Sequence, residues 1–139
     1  DDPAPFKEQA SSLDILEAIT FEGPTRKIQA AYQSADLFVF PSLYDPFANV
    51  VLESLACGLP ALTTTTNGSS EIITEDSDGY IIEGATDHLA TDLADRIQRF
   101  CKLSPIERSG MRKTAVLTAS NFSVTANASA FITALDQTA

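Results

Sequence analysis

Two short β-prone runs with a helix-forming segment between them constrain the fold of this chain most. Residues 37–40 (LFVF) are apolar on both faces and are closed by Pro41, which is typical of a strand buried in a parallel sheet. Residues 61–66 form the second run, and the segment between the two suits the helical crossover that parallel strands require. The stretch 36–71 therefore predicts the order strand, loop, helix, strand, loop, helix.

The predicted crossover helix has recognisable ends. Asp45 followed by Pro46 predicts its start, because Asp caps free N–H groups and Pro is tolerated at the first helical position. Gly58 and Pro60 predict its end. The apolar face between these ends is formed by Val50, Val51, Leu52, Leu55 and Ala56.

Two loops follow the predicted carboxyl ends of these strands. They are residues 42–49 and residues 65–70. In the second loop Asn67 and Gly68 predict a turn, and Ser69 predicts the cap of the short helical segment that follows. Open α/β sheets bind ligands at the loops beyond the carboxyl ends of their strands. We therefore expect a binding site where the two loops meet.

The motif carried by these loops resembles that of one enzyme family. Asp45 and Glu53 are separated by seven residues, and Gly-Leu-Pro, a strand and Asn-Gly-x-x-Glu follow. This pattern is similar to that of the retaining group 1 glycosyltransferases of GT-B fold, which use nucleotide-sugar donors. The sequence YDPFANVVLE most resembles the lipopolysaccharide-core and related polysaccharide enzymes. With its weaker flanks, the resemblance extends from residue 19 to about residue 131.

The resemblance implies a role for each residue of the motif. Asp45 would hydrogen-bond the donor sugar and act in catalysis, and Glu53 would bind the ribose hydroxyls, since a carboxylate can accept two hydroxyls. A helix N-terminus can hold the phosphates without basic side chains. The further donor contacts fall on Phe47, Ala48, Asn49, Val50, Asn67 and Gly68. Taken alone, Asp45 would be interpreted as a helix cap and Glu53 as a surface residue; their joint placement favours donor binding.

Two positions depart from the usual family pattern. Asp45 replaces a commoner Glu, which shortens the reach of the carboxylate by one methylene, and Ala48 stands where Gly is frequent. Both bear on which sugar the donor carries. The resemblance implies a UDP- or GDP-sugar donor, no cofactor and no metal. Residues 76–78 (DSD) imitate a metal-binding Asp-x-Asp, but they lie in a turn that contains Gly79.

The same resemblance implies an α/β, Rossmann-like parallel sheet with flanking helices. The chain, residues 1–139, would be a single partial domain, the C-terminal donor-binding half of the enzyme. A glycan or lipid-linked acceptor would bind through an N-terminal domain outside this sequence, so we expect no transferase activity from the chain alone.

We predict two further strands, at residues 18–22 and 80–83. With the family's strand order 3-2-1-4-5-6 and the first two strands absent, a gap of ~10 Å is expected after the strand at 18–22. The remaining helices are predicted at residues 6–13, 25–34, 87–102, 104–120 and 124–135.

Composition excludes several classes of partner. A net charge of −10 argues against nucleic acid and against anionic lipid, both of which attract clustered Lys and Arg. No run approaches the roughly 20 apolar residues of a membrane span, and the N-terminus does not resemble a signal peptide. We therefore expect a cytoplasmic chain, and the full-length enzyme could lie at the inner face of the membrane. Cys57 and Cys101 are expected to be buried free thiols.

Two alternative functions stay open at this point. A flavodoxin-like receiver or binding module could use Asp1 and Asp2 as its acidic pair and Asp36 or Asp45 as its phosphoacceptor. That reading needs a strand before Asp1 and a late lysine near the acidic site, and neither is visible in the sequence. The second alternative is a fragment of a GT-B-like nucleotide-sugar epimerase.

Overall fold

Three parallel strands form the central sheet of the computed structural model, which describes residues 2–136. The strands are adjacent in chain order, β1-β2-β3. Their bounds are Phe38–Phe40, Ala61–Thr64 and Gly79–Ile82. Ala61 of β2 is aligned with Phe38 on one side and with Gly79 on the other. Because the strands are parallel and in register, their carboxyl ends meet at one edge of the sheet.

The described residues also form six α-helices. Their bounds are Ala4–Ser12 (α1), Ile28–Ser34 (α2), Asn49–Ala56 (α3), Leu89–Cys101 (α4), Pro105–Ser120 (α5) and Val124–Asp136 (α6). Two 3₁₀ segments, Leu16–Ala18 and Gly68–Ile72, complete the regular structure. All six predicted helices are confirmed, with differences confined to their ends except at the start of α3.

Local sequence signals explain two of these boundaries. α3 ends before Gly58, whose φ of 71° is a left-handed conformation that favours glycine. α5 begins with a complete capping box, in which the Ser104 side chain accepts from the Glu107 N–H and the Glu107 carboxylate accepts from the Ser104 N–H. Pro105 occupies the first turn, where its missing N–H has no cost.

The core lies on both faces of β2, which is buried along its whole length. Ala61 packs with Val51 and Leu55 of α3 on one face, and the next residue, Leu62, packs with Phe100 and other side chains on the opposite face. This alternation follows from the two-residue period of a strand. α5 also contacts both clusters, so α3 is held between the sheet and α5.

The predicted strand at residues 18–22 is wrong, and the sheet has three strands instead of four. The segment after Leu16–Ala18 is not paired with any strand, and the side chain of Ile19 in this segment is exposed. A β-prone run becomes a strand only where a neighbour supplies hydrogen bonds and a packing surface. Because this predicted strand does not form, the sheet of residues 2–136 begins at β1, and its three strands pair without the expected gap.

β1 is less buried than its apolar sequence predicts. Phe38 and Phe40 are half-buried and Val39 is 36% exposed. β1 lies at the edge of the described sheet, where one side has no neighbouring strand. None of the described helices combines the length and the hydropathy that a membrane crossing requires.

Candidate functional site

The loop after β1 carries Asp45, but α3 does not start there. α3 begins at Asn49, with Ala48 as its N-cap residue, so the predicted helix start at Asp45 and Pro46 is wrong. Asp45 instead closes a local turn, in which its Oδ1 accepts from the Phe47 N–H at 2.9 Å. Asp side chains commonly bond the backbone two residues on, and this turn competes with helix capping.

The structure brings the two predicted loops together. The Asp45 N–H donates to the Thr66 carbonyl at 3.3 Å, and the Gly68 N–H donates to the Asp45 carbonyl at 2.9 Å. These bonds form an isolated parallel bridge between Asp45 and Asn67, which extends the pairing of β1 and β2 beyond the strands themselves. Asp45, Asn67 and Gly68 therefore belong to one hydrogen-bonded loop pair.

Asn67 is the fully buried centre of this loop pair. Its Oδ1 accepts from the Ala48 N–H at 3.3 Å, from the Ser69 N–H at 3.0 Å and from the Ser69 hydroxyl at 2.8 Å. Its Nδ2 donates to Thr63 Oγ1 at 3.0 Å. Asn67, and not Ser69 as predicted, is thus the cap of Gly68–Ile72.

Gly68 allows the two loops to approach each other closely. A Cβ at this position would lie 1.9 Å from the Pro46 carbonyl oxygen and 2.9 Å from its carbonyl carbon. Both atoms belong to the backbone, so a side-chain rotation could not relieve the contact. Gly68 therefore fixes the distance between the second loop and the Asp45 turn.

Threonine hydroxyls at the end of β2 form hydrogen bonds with backbone carbonyls of β1 and the first loop. Thr63 Oγ1 donates to the Phe40 carbonyl at 2.9 Å, and both Thr64 Oγ1 and Thr66 Oγ1 donate to the Ser42 carbonyl. Sequence reasoning missed this role, although four consecutive threonines at the end of a predicted strand were a visible signal. The hydroxyls satisfy loop carbonyls that would otherwise lie unpaired against the sheet.

The N-terminus of α3 is open. The Ala48 side chain cannot cap the helix, and its first turn contains no acidic residue. Among the hydrogen bonds of residues 2–136, none uses the N–H groups of Asn49 or Val50. Val51 and Leu55 are fully buried and hold the helix in place. Such free N–H groups, together with the helix dipole, form a site for anions.

Glu53 lies one turn after Asn49 on the same face of α3, because residues four apart are neighbours on a helix. Its carboxylate is exposed, and its Oε2 lies 3.5 Å from the Tyr32 hydroxyl. Burial, and then the neighbouring Glu53, raises the pKa of Tyr32 above its usual value of 10.0. The Tyr32 ring is held edge-on against Phe38 at 5.5 Å. A cavity of about 240 Å³ adjoins this pair.

The acidic turn before β3 has a structural role. Asp78 is fully buried and accepts from the Thr74 N–H at 2.8 Å and from the Thr118 hydroxyl, while Asp76 pairs with Arg99 at 2.7 Å. In the part of the chain that the structure describes, no group of three or more His, Cys, Asp or Glu side chains is placed to hold a metal ion.

The structure also tests the predictions made for the two cysteines and for the N-terminal acidic pair. Cys57 and Cys101 are free, but Cys57 is half-buried and Cys101 is exposed, so the predicted burial is wrong. Of the acidic pair proposed for a receiver module, Asp1 lies outside the described residues. Asp2 accepts through Oδ1 from the Ala4 N–H at the start of α1.

Two curated proteins illustrate what this chain is similar to in sequence. D-inositol 3-phosphate glycosyltransferase of Arthrobacter sp. (strain FB24) is 31% identical over 119 residues, which are 84% of this chain and 27% of that protein. The Vi polysaccharide biosynthesis protein VipC/TviE of Salmonella typhi is 33% identical over 82 residues, 59% of this chain and 14% of that protein. The chain thus spans about a quarter or less of the length of these relatives.

Solved structures show the same fold. WaaG, a glycosyltransferase involved in lipopolysaccharide biosynthesis, superposes with a TM-score of 0.77 at 24% identity, covering 86% of this chain and 32% of that chain. HepE of Anabaena, in complex with UDP and glucose, gives 0.80 at 20% identity, covering 96% and 36%. The C-terminal domain of the group 1 protein LpcC of Francisella tularensis gives 0.71 at 18%, covering 85% and 60%. The predicted Rossmann-like fold, a parallel sheet with flanking helices, is confirmed.

The sequence of residues 1–118 matches the family described as Glycosyl transferases group 1. This match covers most of the 139 residues and removes the receiver module as an alternative. The chain therefore belongs to the group 1 glycosyl transferases.

Proposed function

We propose that this chain is the donor-binding domain of a retaining glycosyltransferase, which moves a sugar from a nucleotide-sugar to a glycan, lipopolysaccharide or other acceptor. One observation carries the proposal: the open N-terminus of α3 has the exposed Glu53 carboxylate one turn away on the same face. An anion site beside a hydroxyl acceptor suits a nucleoside diphosphate. The solved complexes of HepE with UDP and with UDP-glucose support this choice of ligand.

The phosphates would lie on the free N–H groups of Asn49 and Val50. Donors at a helix N-terminus are preorganised, so they stabilise the charge that develops on the leaving phosphates without reorganisation during the reaction. The chain carries a net charge of −10, and backbone donors allow phosphate binding without a basic side chain. We propose that this arrangement needs no metal ion.

Glu53 would bind the ribose. Its carboxylate can accept two hydroxyls at once, which matches the two adjacent hydroxyls of a ribose ring. The buried Tyr32 beside it restricts one side of the carboxylate. Because UDP-sugars and GDP-sugars share the ribose diphosphate, both are candidate donors for this site.

Asp45 would face the donor sugar. Only its Oδ1 takes part in the described hydrogen bonds, where it accepts from the Phe47 N–H, so Oδ2 is available to sugar hydroxyls or to an oxocarbenium-like ring. Because the local turn holds the side chain, its position is set before the substrate binds. The acceptor would bind to a second domain, which corresponds to the part of the longer relatives that this chain does not span.

Calorimetry of the 139-residue chain with UDP and with GDP tests the proposal. Glu53→Ala and Glu53→Gln are expected to weaken binding by about 1.5 to 3 kcal/mol, the contribution of a hydrogen bond to a charged group. The matched control is Glu8→Gln, an exposed carboxylate of α1, and it should bind like the wild type. Wild-type affinity in both Glu53 variants, or no binding of either nucleotide by the folded chain, would contradict the proposal.

A second measurement addresses catalysis. Sugar transfer by the isolated chain should not exceed that of the Glu53→Ala control, because the proposed reaction takes place in a cleft between two domains. Transfer above this control would show that the chain is an enzyme by itself.

A further inference from the structure

Asn67 connects the two loops of the candidate site without presenting any surface to a ligand. Resting on the proposed function, we infer that Asn67 is a positioning residue: it sets the phosphate site of α3 through the Ala48 N–H and does not itself contact the donor. The sequence motif assigned Asn67 a direct donor contact. Its complete burial and its use of hydrogen bonds within the protein argue for the indirect role.

α3 has no side-chain cap within its own sequence. The N-cap residue Ala48 has no side-chain acceptor, and four N–H groups at a helix start have no partner within the helix. Asn67 Oδ1 accepts from one of them, the N–H of Ala48. The cap of α3 therefore comes from the loop after β2, nineteen positions later in the chain.

A chain of hydrogen bonds fixes the orientation of the Asn67 amide. The Thr63 hydroxyl has one proton, and it donates that proton to the Phe40 carbonyl at 2.9 Å. Its oxygen can therefore only accept from the amide, which places Nδ2 against Thr63 and Oδ1 against Ala48. A flipped amide would direct an N–H group at the Ala48 N–H. The end of β1 is thus linked through β2 to the start of α3.

This linkage determines which N–H groups remain for a ligand. With the Ala48 N–H occupied, the first free donors are those of Asn49 and Val50, held at a fixed position relative to the sheet edge. Glu53 lies one turn further along and depends on the packing of Val51 and Leu55 instead. Loss of the Asn67 cap should therefore weaken the binding of phosphates and leave the binding of the nucleoside unchanged.

The test is the variant Asn67→Ser, titrated with UDP, GDP, uridine and guanosine and followed by NMR. Serine can still cap Gly68–Ile72, but its hydroxyl is too short to reach the Ala48 N–H as well. We expect an about tenfold loss of diphosphate affinity, the effect of one hydrogen bond, with nucleoside affinity within about twofold of wild type. Asn127→Ser, the same change on the exposed face of α6, should alter neither affinity.

The wild-type chain provides a measurement that does not depend on the folding of a variant. Addition of UDP or GDP should shift the amide resonances of Asn49 and Val50 more than that of Ala48, whose N–H should stay protected from exchange with solvent. If the largest shift occurred at Ala48 and its N–H lost protection, the inference would be overturned. It would also be overturned if folded Asn67→Ser lost nucleoside and diphosphate affinity equally, or lost neither. No binding of either diphosphate to the wild type would overturn the proposed function, and the inference with it.

Discussion

Gly68→Ala tests how far the candidate site depends on the close approach of its two loops. The new Cβ would lie 1.9 Å from the Pro46 carbonyl oxygen. Since an unstrained carbon–oxygen contact is roughly 3.3 Å, the loops must separate by about 1.4 Å. The separation would also stretch the 2.9 Å hydrogen bond from the Gly68 N–H to the Asp45 carbonyl.

Two effects contribute to the expected loss of stability. Overpacking against an immobile backbone costs about 1 to 3 kcal/mol, and the stretched hydrogen bond costs about 1 kcal/mol. The free energy of unfolding should therefore fall by roughly 2 to 4 kcal/mol. Because a displacement near 1 Å can reduce a rate by about 100-fold, sugar transfer by the longer enzyme should fall far more than its donor affinity.

Urea unfolding of the 139-residue chain measures the change in stability. Gly110→Ala is the matched control, because nothing lies within 4 Å of a Cβ at this position of α5. The control should be more stable than wild type by about 0.5 to 1 kcal/mol, the usual effect of replacing glycine inside a helix. If Gly68→Ala unfolded within about 0.5 kcal/mol of wild type, the loops would be adaptable and the reasoning refuted.

Three further predictions concern single side chains. In the longer enzyme, Asp45→Asn should lower kcat and kcat/KM by similar factors with nearly unchanged nucleotide affinity, measured by steady-state kinetics and calorimetry; a wild-type rate would leave Asp45 as a turn residue. Thr118→Val should destabilise the chain in urea by about 1 to 3 kcal/mol, since buried Asp78 loses a hydrogen-bond donor; unchanged stability would contradict this. Hydrogen bonds with Ser104 lower the pKa of Glu107 below its usual 4.5, so their stabilisation is present above that pH and is lost as the pH falls. As the pH falls below 4.5, the Tm of Glu107→Gln should decrease less than the Tm of wild type. Equal decreases in Tm would refute a stabilising role for the Glu107 carboxylate.

Local signals in the sequence predicted those elements whose boundaries depend on a few neighbouring residues. The end of α3 follows from the left-handed Gly58, and the start of α5 follows from the capping box of Ser104 and Glu107. β2 is predicted because a β-prone run lies between Gly58 with Pro60 and the turn at Asn67 and Gly68. In each case the deciding contacts lie within a few residues of the chain.

The failures involve contacts between distant residues. Residues 18–22 have the composition of a strand, but a strand also needs a partner beside it. The start of α3 was misplaced because Asp45 can either cap a helix or close a turn, and its sequence neighbours allow both. In the structure Asp45 closes the turn, and the Asn67 side chain accepts from the Ala48 N–H at the start of α3 instead. Its amide therefore could not be assigned from the motif alone.

The four consecutive threonines of residues 63–66 have a consequence for insertions and deletions. Thr63, Thr64 and Thr66 bond carbonyls of β1 and its loop, while the Thr65 hydroxyl donates to Glu83 at 3.0 Å on the β3 side. Removing one of them would leave the composition of the run almost unchanged. It would nevertheless shift the residues that follow within this extended stretch by one position and turn their side chains to the other face of the sheet. The amide of residue 67 would then point away from α3. The number of threonines in this repeat therefore determines the geometry of the site.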